Sequence, residues 1–297
     1  IYILIHNTMS VNTINQSNTT ALQKYNAHLR DNSIQFIEEN HKYIVNGDDS
    51  FVSVTTWIHS MFSKFNPTLI IKNMMKGKNW NENNKYWSMT EEEIKKQWSD
   101  NGKIASSLGT TLHNTIEYFS NSNVLFKGYN NEDILQNYKL FKVYSALYKW
   151  ELNPIYYSKE WEYFLNFIND CKYLKPYRTE WVVYDSELKI AGSIDMIYQN
   201  EDDSYSIYDW KRSKGIEKVN KWNKKCLNKE VNIIDSNYWH YSLQLNTYKF
   251  ILEKNYDINI KDMYLVRLHP DADNYELIEV NDMQKEVEIL LKNRLEK

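Results

Sequence analysis

From Ala191 to Lys211 the chain reads AGSIDMIYQNEDDSYSIYDWK, in which Asp195 closes one apolar run and Asp209 and Lys211 close the next, with a polar turn between them. Two strands joined by that turn bring Asp195, Asp209 and Lys211 to one end of a sheet. Asp209 and Lys211 stand at i and i+2, so their side chains leave the same face of the strand. Carboxylates gathered in this way repel and raise one another's pKa unless a divalent cation neutralises them. Such a cation takes oxygen ligands and lowers the pKa of its water, and beside an ammonium it suits the hydrolysis of a phosphodiester. The surrounding anions favour the charged form of Lys211, which makes it a positioning and charge-stabilising cation rather than a general base. An isolated Asp-x-Lys is most often a solvated strand end. Here His113 and Glu117 lie one turn apart on an upstream helix and can face the same ion.

The elements that must carry these residues follow from periodicity. Apolar residues recur at three and four over 104–120, a helix with Gly109, His113 and Glu117 on one face. Three consecutive strands are expected from Tyr177 onward: one over RTEWVVYD, then 188–198 and 205–210. A loop over 212–237 follows, then a helix at 238–254, strands at 263–268 and 275–280, and a last helix at 283–295. Upstream, 33–56 reads as a hairpin turning at NGDD, with FVSVTT as its second strand. Helices are expected at 57–62, 68–75, 90–100 (capped by Thr90 with Glu93), 132–150 and 158–173. The pattern is that of an α/β (α+β) protein with a mixed sheet flanked by helices. Residues 1–32 read as a disordered segment and 33–297 as a single domain, with 33–103 an N-terminal hairpin and helical elaboration and 104–297 the core. Met9 inside the polar start is a candidate initiator, with residues 1–8 upstream of it.

Composition narrows the classes. The chain has 297 residues, of which 42% are apolar and 25% charged, with a mean hydropathy of -0.68. It can bury a core, and its apolar runs fall far short of the roughly 20 residues of a membrane helix. A formal charge of -3 excludes a generally basic nucleic-acid coat and leaves only a local patch. Two cysteines, Cys171 and Cys226, are too few for a disulfide framework or a four-cysteine metal cluster, and a reducing intracellular compartment is expected. No secretion signal or arginine-rich presequence is recognisable. The local patch exists: 211–229 holds eight basic residues against one acid, Glu217, and includes Arg212, Lys214, Lys218 and Trp222. A charge run is usually a solvated face, but this one follows directly on Lys211, where a phosphate backbone and a base stacked on Trp222 are expected.

Taken in order, GTTLHNTIE (109–117), TEW (179–181), AGSID (191–195), DWK (209–211) and QLNTY (244–248) resemble the RecB-like branch of the PD-(D/E)XK nuclease superfamily over about 104–254. The HKYIV and SVTTWI segments also resemble the start of single-domain members related to the mitochondrial genome maintenance exonuclease. The resemblance implies a restriction-endonuclease-like core and a metal-dependent deoxyribonuclease. Asp195 and Asp209 would ligate magnesium or manganese, His113 would complete or border the site, and Lys211 would orient the attacking water. Glu117 would either hold His113 or Lys211 in place or be a surface acid. Glu180 is an acidic member of the site or a solvated strand residue. Gln244 and Tyr248 would support the site or the DNA backbone, or simply pack. The substrate expected is DNA, single-stranded or with free ends, cut by an exonuclease in replication, recombination or repair. The alternatives are a structure- or sequence-specific endonuclease, a catalytically silent DNA-binding accessory, or an RNA substrate. The phosphate-binding Gly-x-x-x-x-Gly-Lys-Ser/Thr and a cluster-forming set of four cysteines do not occur in the sequence. No nucleotide or iron–sulfur cofactor is therefore expected, and any helicase or replication partner would be a separate chain.

Overall fold

The computed structural model describes residues 19–122, 130–147 and 153–296. At its centre three antiparallel strands follow one another, β4 (Lys175–Asp185), β5 (Ile190–Gln199) and β6 (Tyr205–Lys211). The chain then passes through helix α7 (Asn237–Asn255) to β7 (Ile260–Arg267), which runs parallel to β6, and β8 (Glu276–Glu279) closes that edge antiparallel to β7. A two-residue strand, β3 (Val52–Ser53), joins β5 in parallel through Val52 with Ile190 and Ser53 with Ala191. The sheet is mixed, as expected, and helices cover both faces.

One face packs on α7, on α2 (Val54–His59) and on the C-terminal α8 (Gln284–Leu295), with Trp181, Ile194, Ile207, Leu243, Leu245 and Val287 buried between them. The other face packs on α6 (Lys159–Asp170), on α5 (Asn131–Leu147) and on the C-terminal half of α4 (Glu91–Ser122), around Leu112, Phe119, Trp161, Phe164 and Trp210. Alternation along β6 produces this division: Ile207 enters the first core, while Tyr208 and Trp210 enter the second.

Four expectations need correction. The N-terminal hairpin lies within IQFIEENHKYIV, as β1 (Ile34–Ile37) and β2 (Lys42–Val45), and not across NGDD. NGDD is a tight turn after β2 that needs Gly47 at a φ of 84°. VTT begins α2 rather than a strand, because the Ser53 hydroxyl accepts the N–H of Thr56 and caps the helix while Val54 is fully buried. The two helices expected at 90–100 and 104–120 are one, α4, which runs through Gly102 and Gly109. No proline interrupts it, and two glycines at about 1 kcal/mol each do not. Of the segment expected to be disordered, 1–18 lie outside the described residues. Residues 19–32 instead fold: α1 (Ala21–Tyr25) buries Leu22, whose N–H donates to Asn121 Oδ1 at 3.0 Å. The end of the helix expected at 132–150 also runs past the described residues.

α4 is uneven along its length. Its start packs on α3 (Pro67–Met75) through Ile94 and Ile71, both fully buried, and its end sits in the second core. Between these anchors, 99–108 is exposed on every side, including Ile104 and Leu108. Among the described residues no helix is long and apolar enough to cross a membrane.

Candidate active site

β5 and β6 form a regular ladder from Gln199 and Tyr205 at the turn to Met196 and Tyr208, and pairing stops there. The next rung would set Asp195 opposite Asp209, and on the other side of β5 the same rung sets Glu180 of β4 opposite Asp195. Three acidic residues thus stand side by side across three strands, a level at which lateral neighbours project together. The broken ladder leaves backbone groups that must find other partners. Two site residues supply them at Trp210: its N–H donates to Asp195 Oδ2 at 2.9 Å, and its carbonyl accepts from His113 Nε2 at 2.9 Å. The bonds that fix the side chains of Asp195 and His113 are therefore the ones that replace the missing ladder.

Because Nε2 of His113 donates to a carbonyl, Nδ1 is the nitrogen turned to the carboxylates, 3.5 Å from Asp195 Oδ2 and 3.8 Å from Glu180 Oε1. A neutral ring would set three lone pairs against one another, so this position requires a proton or a cation. Burial disfavours the imidazolium, but Asp195 and Glu180 more than offset it and push His113 up to about 9. His113, Glu180 and Asp195 form the one group of three among the described residues whose ligand atoms converge closely enough to hold a metal, all within 4.8 Å of one another. One nitrogen and carboxylate oxygens are a donor set that fits a divalent cation. Glu180 reaches this position through a backbone in the left-handed region, φ 43°, and Ser193 Oγ donates to its Oε2 at 2.9 Å. Strain of this kind persists where surrounding structure enforces it.

Asp209 lies one strand over and faces its own partner. Lys211 Nζ sits 2.5 Å from Asp209 Oδ2, and no other donor among the described residues reaches that buried oxygen. Burial, and then Asp195, push the Asp209 carboxyl up against the pull of Lys211 and His113; Lys211, despite its own burial, is held strongly in the ammonium form by Asp209 and Asp195. The ammonium also lies 4.7 Å from the ring centroid of Tyr241 on α7, a cation–π contact. Burial, then Glu180, push Glu117 up to about 7, and its carboxyl borders the group from α4.

α7 closes the site from the opposite face. Gln244 Nε2 donates to the Tyr248 hydroxyl at 3.3 Å, and Tyr248 packs so tightly on β5 that a Cβ on Gly192 would meet its ring and hydroxyl at 2.7 Å. Only glycine fits there. Tyr43, delivered by β2, is a residue that sequence reasoning missed. It is buried, its hydroxyl faces the Ser193 backbone, and it lies near Glu180 and Tyr248. The one signal for it was the HKYIV segment.

The basic run is ordered rather than free. Lys218 lies 4.3 Å from the centroid of the Tyr238 ring and Lys214 lies 3.4 Å from Asp271. Arg212 points away from Lys211 and pairs with Glu160. Trp222 stands out at 80% exposure on a turn held by Asn220, which accepts the Trp222 N–H and donates to the Asp235 carbonyl.

With this geometry, comparison with known proteins gives one decisive result: the family model of the PD-(D/E)XK nuclease superfamily matches residues 85–294. The chain belongs to that superfamily. The match contains His113, Glu180, Asp195, Asp209, Lys211, Gln244 and Tyr248, and leaves Tyr43 outside it. No curated protein sequence matches the chain. Among solved structures, the crystal structure of SSO0001 is similar at 17% identity over 40% of this chain and 50% of that chain, with a TM-score of 0.23. The alignment thus spans half the length of that protein.

Proposed function

We propose that this protein is a divalent-metal-dependent deoxyribonuclease of the RecB-like branch, related to single-domain exonucleases such as the mitochondrial genome maintenance exonuclease. It would degrade single-stranded DNA or DNA ends in replication, recombination or repair, and residues 33–297 would form its one nuclease domain. The observation that carries this reading is the meeting of His113, Glu180 and Asp195 beside the buried Asp209–Lys211 pair. His113, Asp195 and Asp209, with Glu180 as a further carboxylate, hold magnesium or manganese. When bound, the cation supplies charge neutralisation and a water of lowered pKa. Lys211 holds an ammonium where negative charge develops on the phosphate, and Tyr241 keeps that ammonium in place. Glu117 supports the cluster from α4, and Gln244 and Tyr248 fix β5 from α7. Lys218 and Trp222 follow the strand away from the site, the indole by stacking on an unpaired base.

Incubating linear and covalently closed single-stranded DNA with the protein and magnesium or manganese tests this. Complete degradation of the linear form with the circle intact is the expected result. A cut circle would replace the exonuclease reading with an endonuclease, and neither form changing would leave a DNA-binding protein.

A further inference from the structure

Arg212 follows Lys211 directly, so the two side chains leave opposite faces of β6, Lys211 toward Tyr241 of α7 and Arg212 toward the first turn of α6. There Glu160, itself 9% exposed, accepts from Arg212 Nε at 2.9 Å. Holding a guanidinium through Nε leaves both terminal nitrogens of its fork unspent, and among the described residues neither has a hydrogen-bond partner. β7 continues beside this point, since the Leu268 N–H donates to the Lys211 carbonyl at 2.9 Å, and this carries His269 alongside Arg212. His269 is 5% exposed, and its Nδ1 accepts the Asp271 N–H at 3.2 Å, which leaves the ring proton on Nε2. Lys159 Nζ donates to the Pro270 carbonyl at 3.3 Å and ties the start of α6 to the same turn. A buried carboxylate that fixes a guanidinium through Nε, with both terminal nitrogens unspent and the His269 ring close to the same ion pair, is a preorganised binding group for a planar pair of phosphate oxygens.

We propose that Arg212, positioned by Glu160 and assisted by His269, binds an internal phosphodiester of the DNA strand, next along the strand from the one at the metal site. This rests on the nuclease reading of Asp195, Asp209 and Lys211. Charge selects the diester over a terminal phosphate. Arg212, Lys214 and Lys159 oppose Glu160 and Asp271, and burial keeps His269 below its ordinary pKa, so these groups sum to a single positive charge that matches a monoanion better than a dianionic end group. Recognition of the running backbone leaves base sequence and end chemistry unread.

The test measures binding of a fluorescent single-stranded oligonucleotide in EDTA, without turnover, as a function of salt. Replacing Arg212 alone would leave Glu160 buried and unpaired, so the informative protein is the double variant Arg212→Gln/Glu160→Gln, with its thermal transition recorded. Loss of one phosphate contact should reduce the slope of log K against log salt by about 0.7 for a single strand. The loss should be equal for 5′-phosphorylated and 5′-hydroxyl oligonucleotides. The single variant Glu160→Gln, which keeps the guanidinium but frees it, should weaken binding with the slope unchanged. A folded double variant that binds with the original slope and affinity overturns the proposal, as does a loss confined to the 5′-phosphorylated strand. If the double variant does not fold, Glu160→Gln binding as tightly as the original protein overturns it. Asp209→Asn reports separately on the nuclease reading: cleavage at the normal rate would sink that reading whatever the slope of the Arg212 variant.

Discussion

The two ends of the β5–β6 pair use the same backbone differently. At the turn, the ladder is complete and polar side chains satisfy one another locally: Asn200 Nδ2 donates to Ser204 Oγ and Ser206 Oγ at 2.9 Å each. At the other end the ladder stops, and Asp195 and His113 take over the two backbone groups of Trp210. The first end spends its polar groups on stability. The second gathers Glu180, Asp195 and Asp209 on one level, an arrangement that like-charge repulsion makes costly to the fold and useful to a cation. In a sheet, a chemical site is available where regular pairing has ended and side chains must complete it.

The contrast is broken or sharpened most strongly by single substitutions at each end. Asp195→Asn keeps an oxygen to accept the Trp210 N–H but removes a charge. Cleavage should fall by more than about a hundredfold, since losing even the groups that support a metal ligand costs 10- to 100-fold. Its melting temperature should stay level or rise. Ser206→Ala should do the reverse, losing about 1 kcal/mol of unfolding free energy in urea with cleavage unchanged. An Asp195→Asn protein that cuts normally, or a Ser206→Ala protein that is stable but inactive, would erase the distinction.

The same contrast predicts how pH acts on the metal-free protein. Glu117 rises from its ordinary 4.5 to about 7, through burial first and then Glu180, and His113 rises from 6.5 to about 9, through Asp195 and Glu180 working against burial. Raised values mean that the folded state binds more protons than the unfolded state between the two limits. Stability is therefore present at low pH and lost as pH climbs, through 4.5 to 7 for Glu117 and 6.5 to 9 for His113. Urea unfolding in EDTA should show a midpoint that declines over these windows, and manganese should restore it at the alkaline end. A metal-free midpoint that climbs with pH would mean that the cluster is not under charge strain.

Some of this was legible in the sequence. Asp195, Asp209 and Lys211 could be placed together because a hairpin fixes its partners by counting, and His113 with Glu117 because helical spacing does. The sheet and its flanking helices followed from periodicity. What escaped depends on contacts between distant segments. Nothing near Glu180 in sequence announces a left-handed backbone, and Glu160 opposite Arg212 or Tyr43 opposite Ser193 are matters of packing. The hairpin upstream was misplaced because NGDD and β-branched VTT are strong local signals that tertiary structure uses otherwise, as a turn after β2 and as the start of α2.

Gly192 tests whether the α7 side of the splayed end is as tightly built as its geometry implies. A methyl group there meets Tyr248 at 2.7 Å, a clash neither β5 nor the buried ring can relieve cheaply. Gly192→Ala should cost about 1 to 3 kcal/mol, as overpacking does. Adding Tyr248→Leu should recover part of the loss. A Gly192→Ala protein as stable as the original would show that α7 stands off the strand.

The smallest effect, and the most informative about the N-terminal hairpin, concerns Tyr43. Its hydroxyl faces the Ser193 backbone on the stretch of β5 left unpaired between β3 and β6, and the Ser193 hydroxyl in turn donates to Glu180. Tyr43→Phe keeps the ring and removes the polar group facing that backbone, which should cost up to about 1 kcal/mol of stability. If the contact only stabilises, cleavage is untouched at temperatures well below unfolding. If it holds Ser193, and through it Glu180, where the cation needs them, the variant should require more manganese for half-maximal cleavage while kcat at saturating metal stays the same. That shift in metal dependence, measured against Ser193→Ala as a second way to release Glu180, decides whether the hairpin outside the family match is part of the site or only a cover for the edge of the sheet.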